Sequence, residues 1–180
     1  IQMVLKMMNR NRGFTLAELM VTMAVVAIVL TIGVPAFQAT VRNNRATAHA
    51  NDFLTSLNQA RNEAIKRGTG WRVALCPGTA AGCAGTAWGS GWIVFVDTNT
   101  NDQWDAGEQI LQVHEQLSGN DTLISTMPFI SFQSDGVART TANQFGGVLT
   151  FGLCNSRNQQ NTIVINSVGR ARVVPQQPCN

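Results

Sequence analysis

Arg12-Gly13-Phe14-Thr15-Leu16-Ala17-Glu18-Leu19-Met20-Val21 opens a run that stays apolar as far as Pro35, and its reading decides how the rest of the chain is organised. From Phe14 to Phe37 the one ionisable side chain is Glu18, and the remainder is mostly Leu, Val, Ile, Met and Ala. A helix of roughly 20 such residues crosses a hydrocarbon layer about 30 Å thick, so the segment is expected in a membrane. Lys6, Arg10 and Arg12 precede it with no acid among them, which keeps the short flank cytoplasmic while the bulk of the chain is exported. An ordinary secretory signal is cut at a small-residue site beyond its apolar stretch. No such site is evident, because Ala17, Ala24 and Ala27 lie within the run and a helical pattern resumes after Pro35. The glycine placed to be cut is Gly13, between the basic flank and the apolar run.

These residues resemble the N-terminus of type IV prepilins and of the pseudopilins of type II secretion. The likeness consists of a basic leader ending in Gly13, then Phe14, a glutamate four residues later (Glu18), an apolar helix, and Pro35 twenty-one residues beyond Phe14. It implies cleavage after Gly13 by a prepilin peptidase, N-methylation of Phe14, and packing of the helix among other pilin subunits, major and minor, in a filament core. It also implies storage in the inner membrane with a periplasmic head, followed by an extracellular pilus.

The chemistry of Glu18 can be read separately. A carboxylate in a bilayer costs about 2.5 to 3.5 kcal/mol on insertion scales unless it finds a partner. Removal of Gly13 would give Phe14 a free ammonium that a neighbouring subunit offers to Glu18. Alternatively Glu18 lies at headgroup level as an acid favoured by the dipole of the helix start. Gly33 and Pro35 weaken the helix, and a kink or local melting is expected there.

Net charge falls from +3 to 0 if Lys6, Arg10 and Arg12 leave with the leader, so the distribution of charge is more informative than its sum. Between Val73 and Ala138 lie seven acids and no Lys or Arg; after Asp135 there is no acid, while Arg139, Arg157, Arg170 and Arg172 remain. Four cysteines in an exported domain read as two disulfides with three connectivities open, of which the pairing of sequence neighbours, Cys76–Cys83 and Cys154–Cys179, is preferred. Zinc is the competing use, but six and twenty-four intervening residues are not the short clip of a finger.

After Pro35 an apolar stripe through Val41, Phe53, Leu54, Leu57, Ala60, Ala64 and Ile65 predicts an amphipathic helix that ends at Gly68 and Gly70. His49 is expected to be solvated on its polar side. From Trp71 the period changes. Strands are expected at Trp71–Leu75, Trp92–Val96, Ile110–His114, Phe129–Gln133, Gly147–Gly152, Thr162–Asn166 and Ala171–Val174, with a loop from Cys76 to Gly91 in which Trp88 plugs the core. Strands without intervening helices define an α+β protein, its long N-terminal helix packed on an antiparallel sheet or sandwich. The expected division is a leader at 1–13, a membrane and filament-core helix at 14–36, an amphipathic helix at 37–67 and a β head at 68–180.

Two motifs remain. Asp97 to Glu108 places oxygen side chains at positions 1, 3, 5, 9 and 12 of a twelve-residue loop, as a calcium-binding EF-hand would, but its sixth residue is Asp102 where that loop needs glycine. A hairpin connection built on Asx turns needs no metal and is expected instead. The same stretch, with its flanking strands, resembles the GspH/FimT (FimU-like) branch of minor pilins and pseudopilins. Val168-Gly169-Arg170-Ala171-Arg172-Val173 puts two arginines two apart on a strand, so both leave one face. Guanidinium forks donate paired hydrogen bonds to phosphate oxygens. The Gly-Arg-x-Arg pattern resembles that of FimT-type minor pilins implicated in DNA uptake during natural transformation. That likeness implies DNA contacts from Arg170 and Arg172 beside Gly169; Arg157 and Arg139, in the same acid-free stretch, are candidate auxiliaries, and two solvated arginines flanking a strand are the plain alternative. No G-x-S-x-G, H-E-x-x-H or phosphate-binding glycine loop is present, His114 is expected at the surface, and neither enzyme activity nor a cofactor is expected. The sequence thus leads to a minor pilin near the tip of a type IV pilus that helps prime assembly and binds DNA without regard to sequence. A type II secretion pseudopilin of GspH type, without DNA binding, is the alternative.

Overall fold

The computed structural model describes residues 13–140, 149–155, 159–166 and 168–178, in a chain that divides into two compact units, Ile1–Thr40 and Val41–Asn180. Helix α1 runs from Leu16 to Arg67, 52 residues, and supplies the described regular structure of the first unit and the opening element of the second. The expected melting near Gly33 does not occur. Pro35 lies inside an uninterrupted helix, since proline removes a single rung of the ladder and the apolar residues around it keep theirs. At the other end Gly68 takes the left-handed conformation (φ 78°) that closes a helix, with Lys66 and Arg67 in the last turn opposite the carbonyl end of the dipole.

Within the second unit the buried face of α1 is Ala46, Ala50, Phe53, Leu57, Ala60 and Ala64, a three-and-four spacing that keeps one side of a 3.6-residue helix against the core. The expected stripe is corrected at its margins: Val41 and Ile65 are exposed, and small residues at 46 and 50 take up the face instead. Alanine there lets the helix approach closely.

Among the described residues ten strands follow, β1 (Arg72–Thr79), β2 (Gly82–Cys83), β3 (Trp92–Asp97), β4 (Ile110–His114), β5 (Thr122–Ile124), β6 (Ile130–Phe132), β7 (Ala138–Arg139), β8 (Leu149–Cys154), β9 (Gln159–Ile165) and β10 (Ala171–Pro178). They form two antiparallel sheets, one ordered β4-β3-β1-β6-β7 with β2 on β1, the other β10-β9-β8-β5. All seven expected strands are present, and β2, β5 and β7 are additions. The stretch expected as a loop from Cys76 is partly strand: β1 continues to Thr79, turns back as β2, and a single 3₁₀ turn at Trp88–Ser90 follows. The Cys76–Cys83 disulfide ties that hairpin. Cys154 is also disulfide-bonded, while its expected partner Cys179 lies outside the described residues.

The central strands are buried on both faces. Val73, Leu75, Trp92 and Val94 join the core beneath α1, while Ala74, Cys76, Ile93 and Phe95 meet Trp104, Ile110 and Phe129 on the reverse side. The second sheet contributes Leu123, Phe151, Leu153, Ile163 and Ile165 to the core under α1. At its centre Phe53 makes edge contacts with Trp88 (5.4 Å) and Trp92 (5.1 Å) and a tilted one with Phe151 (4.8 Å). The indole N–H groups of Trp88 and Trp92 are satisfied, Trp88 donating to the Met127 carbonyl (2.8 Å) and Trp92 to Ser56 Oγ (3.0 Å). Trp88 is the core plug the sequence suggested.

Candidate functional site

The start of α1 is built by a reciprocal cap. Thr15 N–H and Thr15 Oγ1 donate to Glu18 Oε2 (2.8 and 3.0 Å), and Glu18 N–H donates to Thr15 Oγ1 (3.2 Å). This is the capping box Thr-x-x-Glu, which satisfies orphan donors at the helix start. Sequence reading missed it, although the spacing was legible. Both side-chain bonds fall on Oε2 and come from its own chain, so Glu18 here is a helix-start acid. Phe14 beside it is 88% exposed, and the apolar residues from Leu16 to Phe37 are likewise open. Lys6, Arg10 and Arg12 lie outside the described residues.

The Asp97–Glu108 stretch is the hairpin between β3 and β4, with every carboxylate bonded by the chain. Asp97, fully buried, accepts from the N–H of Asn101 (3.2 Å) and of Asp102 (2.9 Å). Asp102 sits at φ 62°, the left-handed position where glycine would otherwise serve, and accepts from Arg72 Nη1 (2.8 Å) and Ser131 Oγ (2.8 Å). Asp105 takes the side-chain amides of Asn99 and Asn101, and Glu108 takes Thr98 N–H and Oγ1 together with Asp105 N–H. Burial pushes the Asp97 carboxyl above its ordinary value, against the backbone bonds that lower it, whereas the amides of Asn99 and Asn101 hold Asp105 below its own. Among the described residues no group of three or more His, Cys, Asp or Glu could hold a metal.

Of the two histidines, His49 departs from expectation. His49 is largely covered: its Nε2 lies 3.7 Å from Asp121 Oδ2 and 3.4 Å from Ser118 Oγ. One helical turn earlier Arg45 grips the same Asp121 through Nε (3.0 Å) and Nη2 (3.2 Å). An i, i+4 pair of basic side chains on α1 thus clasps a fully buried carboxylate, a pairing that no local pattern announces. His114 is stacked flat on Trp92 (3.8 Å, 6°), its cross-strand partner.

Arg170 and Arg172 stand where β9 returns as β10. Asn166 closes the hairpin, its N–H donating to the Arg170 carbonyl (3.0 Å), its carbonyl accepting from Gly169 N–H (2.9 Å), and its Oδ1 accepting from Arg170 N–H (2.8 Å). Gly169, at φ 74°, is the left-handed residue that such a hairpin requires. It also packs on the Gly136 carbonyl so closely that a Cβ would collide, and Arg61 Nε donates to that same carbonyl (3.0 Å). Both arginines are exposed and line one hollow of about 450 Å³ with Val164, Asn166 and Ala171. Arg139 is nearly buried and bonds Asp135 (3.0 Å), which leaves it unsuited as an auxiliary. Arg157 lies outside the described residues.

A helix long and apolar enough to cross a membrane, opened by the Thr15–Glu18 cap two residues after Gly13 and followed by two antiparallel sheets, is the architecture of a pilin-type subunit. Residues 8–34 match the prokaryotic N-terminal methylation motif, and residues 49–169 match the family described as type II transport protein GspH. The chain belongs to this GspH family of pseudopilins and minor pilins. Membership implies processing by prepilin peptidase and assembly with other pilin subunits. The matched stretch stops at Gly169, one residue short of the arginines. No curated protein and no solved structure matches the chain.

Proposed function

We propose that the chain is a minor pilin of a type IV pilus, cut after Gly13, methylated at Phe14, stored in the inner membrane with its head in the periplasm, and built into the extracellular filament near the tip, where it helps start assembly. In this reading residues 1–13 are the leader, 14–36 the filament-core helix, 37–67 the supporting helix and 68–180 the head. The role is structural, not enzymatic. Its head binds DNA without sequence preference, in the service of DNA uptake.

One observation carries the DNA reading: Arg170 and Arg172 open side by side into one hollow. The local acids are already engaged, Asp135 by Arg139 and Asp121 by Arg45. Guanidinium groups so placed bind phosphates and carry no base information. A mobility-shift titration of the full-length protein in detergent tests it. The parent is expected to bind duplex DNA with a steep salt dependence, and the Arg170→Ala, Arg172→Ala variant to lose about 1.8 from the slope of log K against log salt, about 0.9 per phosphate contact. Equal binding by a folded double variant overturns the reading. The description of the matched family as a type II transport protein, and the end of that match before Arg170, favour a second reading, a secretion pseudopilin that binds no DNA. A parent that shows no shift at low salt decides for it.

A further inference from the structure

Among the described residues the four-stranded sheet has one face in the core and one face of partly or fully exposed side chains. Its register places Thr150, Val164 and Arg172 in one row across β8, β9 and β10. The next row is Ile124, Gly152, Thr162 and Val174. Their neighbours along each strand, Leu123, Phe151, Leu153, Ile163 and Val173, point into the core or pack at its edge, so these two rows face outward. No acid or aromatic side chain occurs in either row. Asp121, the acid that abuts β5, is turned inward, its side chain fully covered and held by Arg45. Arg170 opens onto the same side, since it shares its hollow with Val164 and Arg172.

We propose that this open face, and not the β9–β10 turn alone, is the surface on which duplex DNA lies. The inference rests on the DNA reading above and adds a footprint to it. Arg170 and Arg172 anchor phosphates at one corner. The hydroxyls of Thr150 and Thr162 then donate to phosphate oxygens further along, Thr150 lying two strand spacings, roughly 10 Å, from Arg172. Charge selects a polyanion: arginines at one corner, no carboxylate on the face, and the adjoining acid neutralised from within. Neither row carries an aromatic side chain on which bases could stack, and tight single-strand binding draws on such stacking, so the footprint is proposed for a duplex.

The test uses full-length protein in detergent with a 30-base-pair duplex and the single strand of equal length. Thr150→Glu and Thr162→Glu are expected to weaken duplex binding at least tenfold at low salt. Val164→Lys is expected to tighten it several-fold and to steepen the salt slope by about 0.9, one added phosphate contact. Val113→Glu and Val113→Lys, exposed on β4 of the other sheet, make the same charge changes off the face and should move affinity less than twofold. If the on-face variants change nothing while Arg170→Ala, Arg172→Ala weakens binding, the footprint is wrong and the DNA reading stands. Indifference to the arginine pair removes both. Single strand bound more than tenfold tighter than duplex overturns the footprint in favour of a stacking site elsewhere. Val164→Lys settles the case should either glutamate variant fail to fold.

Discussion

Asp97 and Asp105 stand eight residues apart in one hairpin, yet their surroundings push them in opposite directions. Asp97 is fully buried, and burial disfavours its charged form more than the amides of Asp102, Thr100 and Asn101 favour it. A carboxyl raised in the folded state holds its proton after the unfolded chain has released it. Stability from Asp97 is therefore present at low pH and is lost as pH rises from the ordinary carboxylate value through the raised one. Asp105 works the other way, favouring the fold above its unfolded value and ceasing to as pH falls through the lowered one. In Asp97→Asn the first contribution is gone, so urea midpoints of parent and variant are expected to shift with rising pH in the variant's favour. A difference that grows toward the parent contradicts the assignment. Gly169 gives a second residue-scale prediction. Its left-handed backbone and its contact with the Gly136 carbonyl make Gly169→Ala strained twice over, at a cost of about 1–3 kcal/mol in thermal unfolding. The first reason was legible in Gly-Arg-x-Arg beside a turn. The second was not, because Gly136 is 33 positions away.

At the scale of elements, what the sequence revealed and what it hid divide by length. The long helix and six of the seven expected strands, five to eight residues long, announce themselves through period and β-branched content, which a chain must carry if one face is to be buried; the seventh, β6, is as short as β5 and was legible only through the alternation of Phe129-Ile130-Ser131-Phe132. Strands such as β2, β5 and β7, two or three residues long, carry no period; they exist because a neighbour offers hydrogen bonds, β1 to β2, β8 to β5, β6 to β7. The Arg45–His49 clasp on Asp121 escaped for the same reason, its parts being more than 70 residues apart. Packing at the helix is the more local matter, and Phe53 concentrates it. Edge-on to Trp88 and Trp92 and tilted on Phe151, Phe53 joins α1 to both sheets at one point. Phe53→Ala leaves a cavity among three large rings and is expected to cost about 3–5 kcal/mol, read from denaturant unfolding. A loss under 1 kcal/mol would mean that the two sheets close over the gap.

For the whole molecule the proposed function raises the question of how a helix capped by its own Thr15 would join other pilin subunits in a filament. Glu18 has two separable properties there, an oxygen that accepts from Thr15 and a negative charge that a membrane resists. The cap alone stabilises the helix start in any one subunit. The charge matters only where a cation arrives, and cleavage after Gly13 would supply one as the Phe14 ammonium of a neighbour. Glu18→Gln separates the two, since its amide oxygen can still accept from Thr15 while the charge is gone. If assembly depends on charge pairing, Glu18→Gln is expected to accumulate in the membrane fraction, with its leader removed normally, and to fall at least tenfold in sheared filaments. Glu18→Ala, which loses both properties, should be no worse in filaments than Glu18→Gln. Filament levels equal to the parent in Glu18→Gln, with loss only in Glu18→Ala, would assign the whole role of this carboxylate to the helix cap and remove the ammonium from the assembly step.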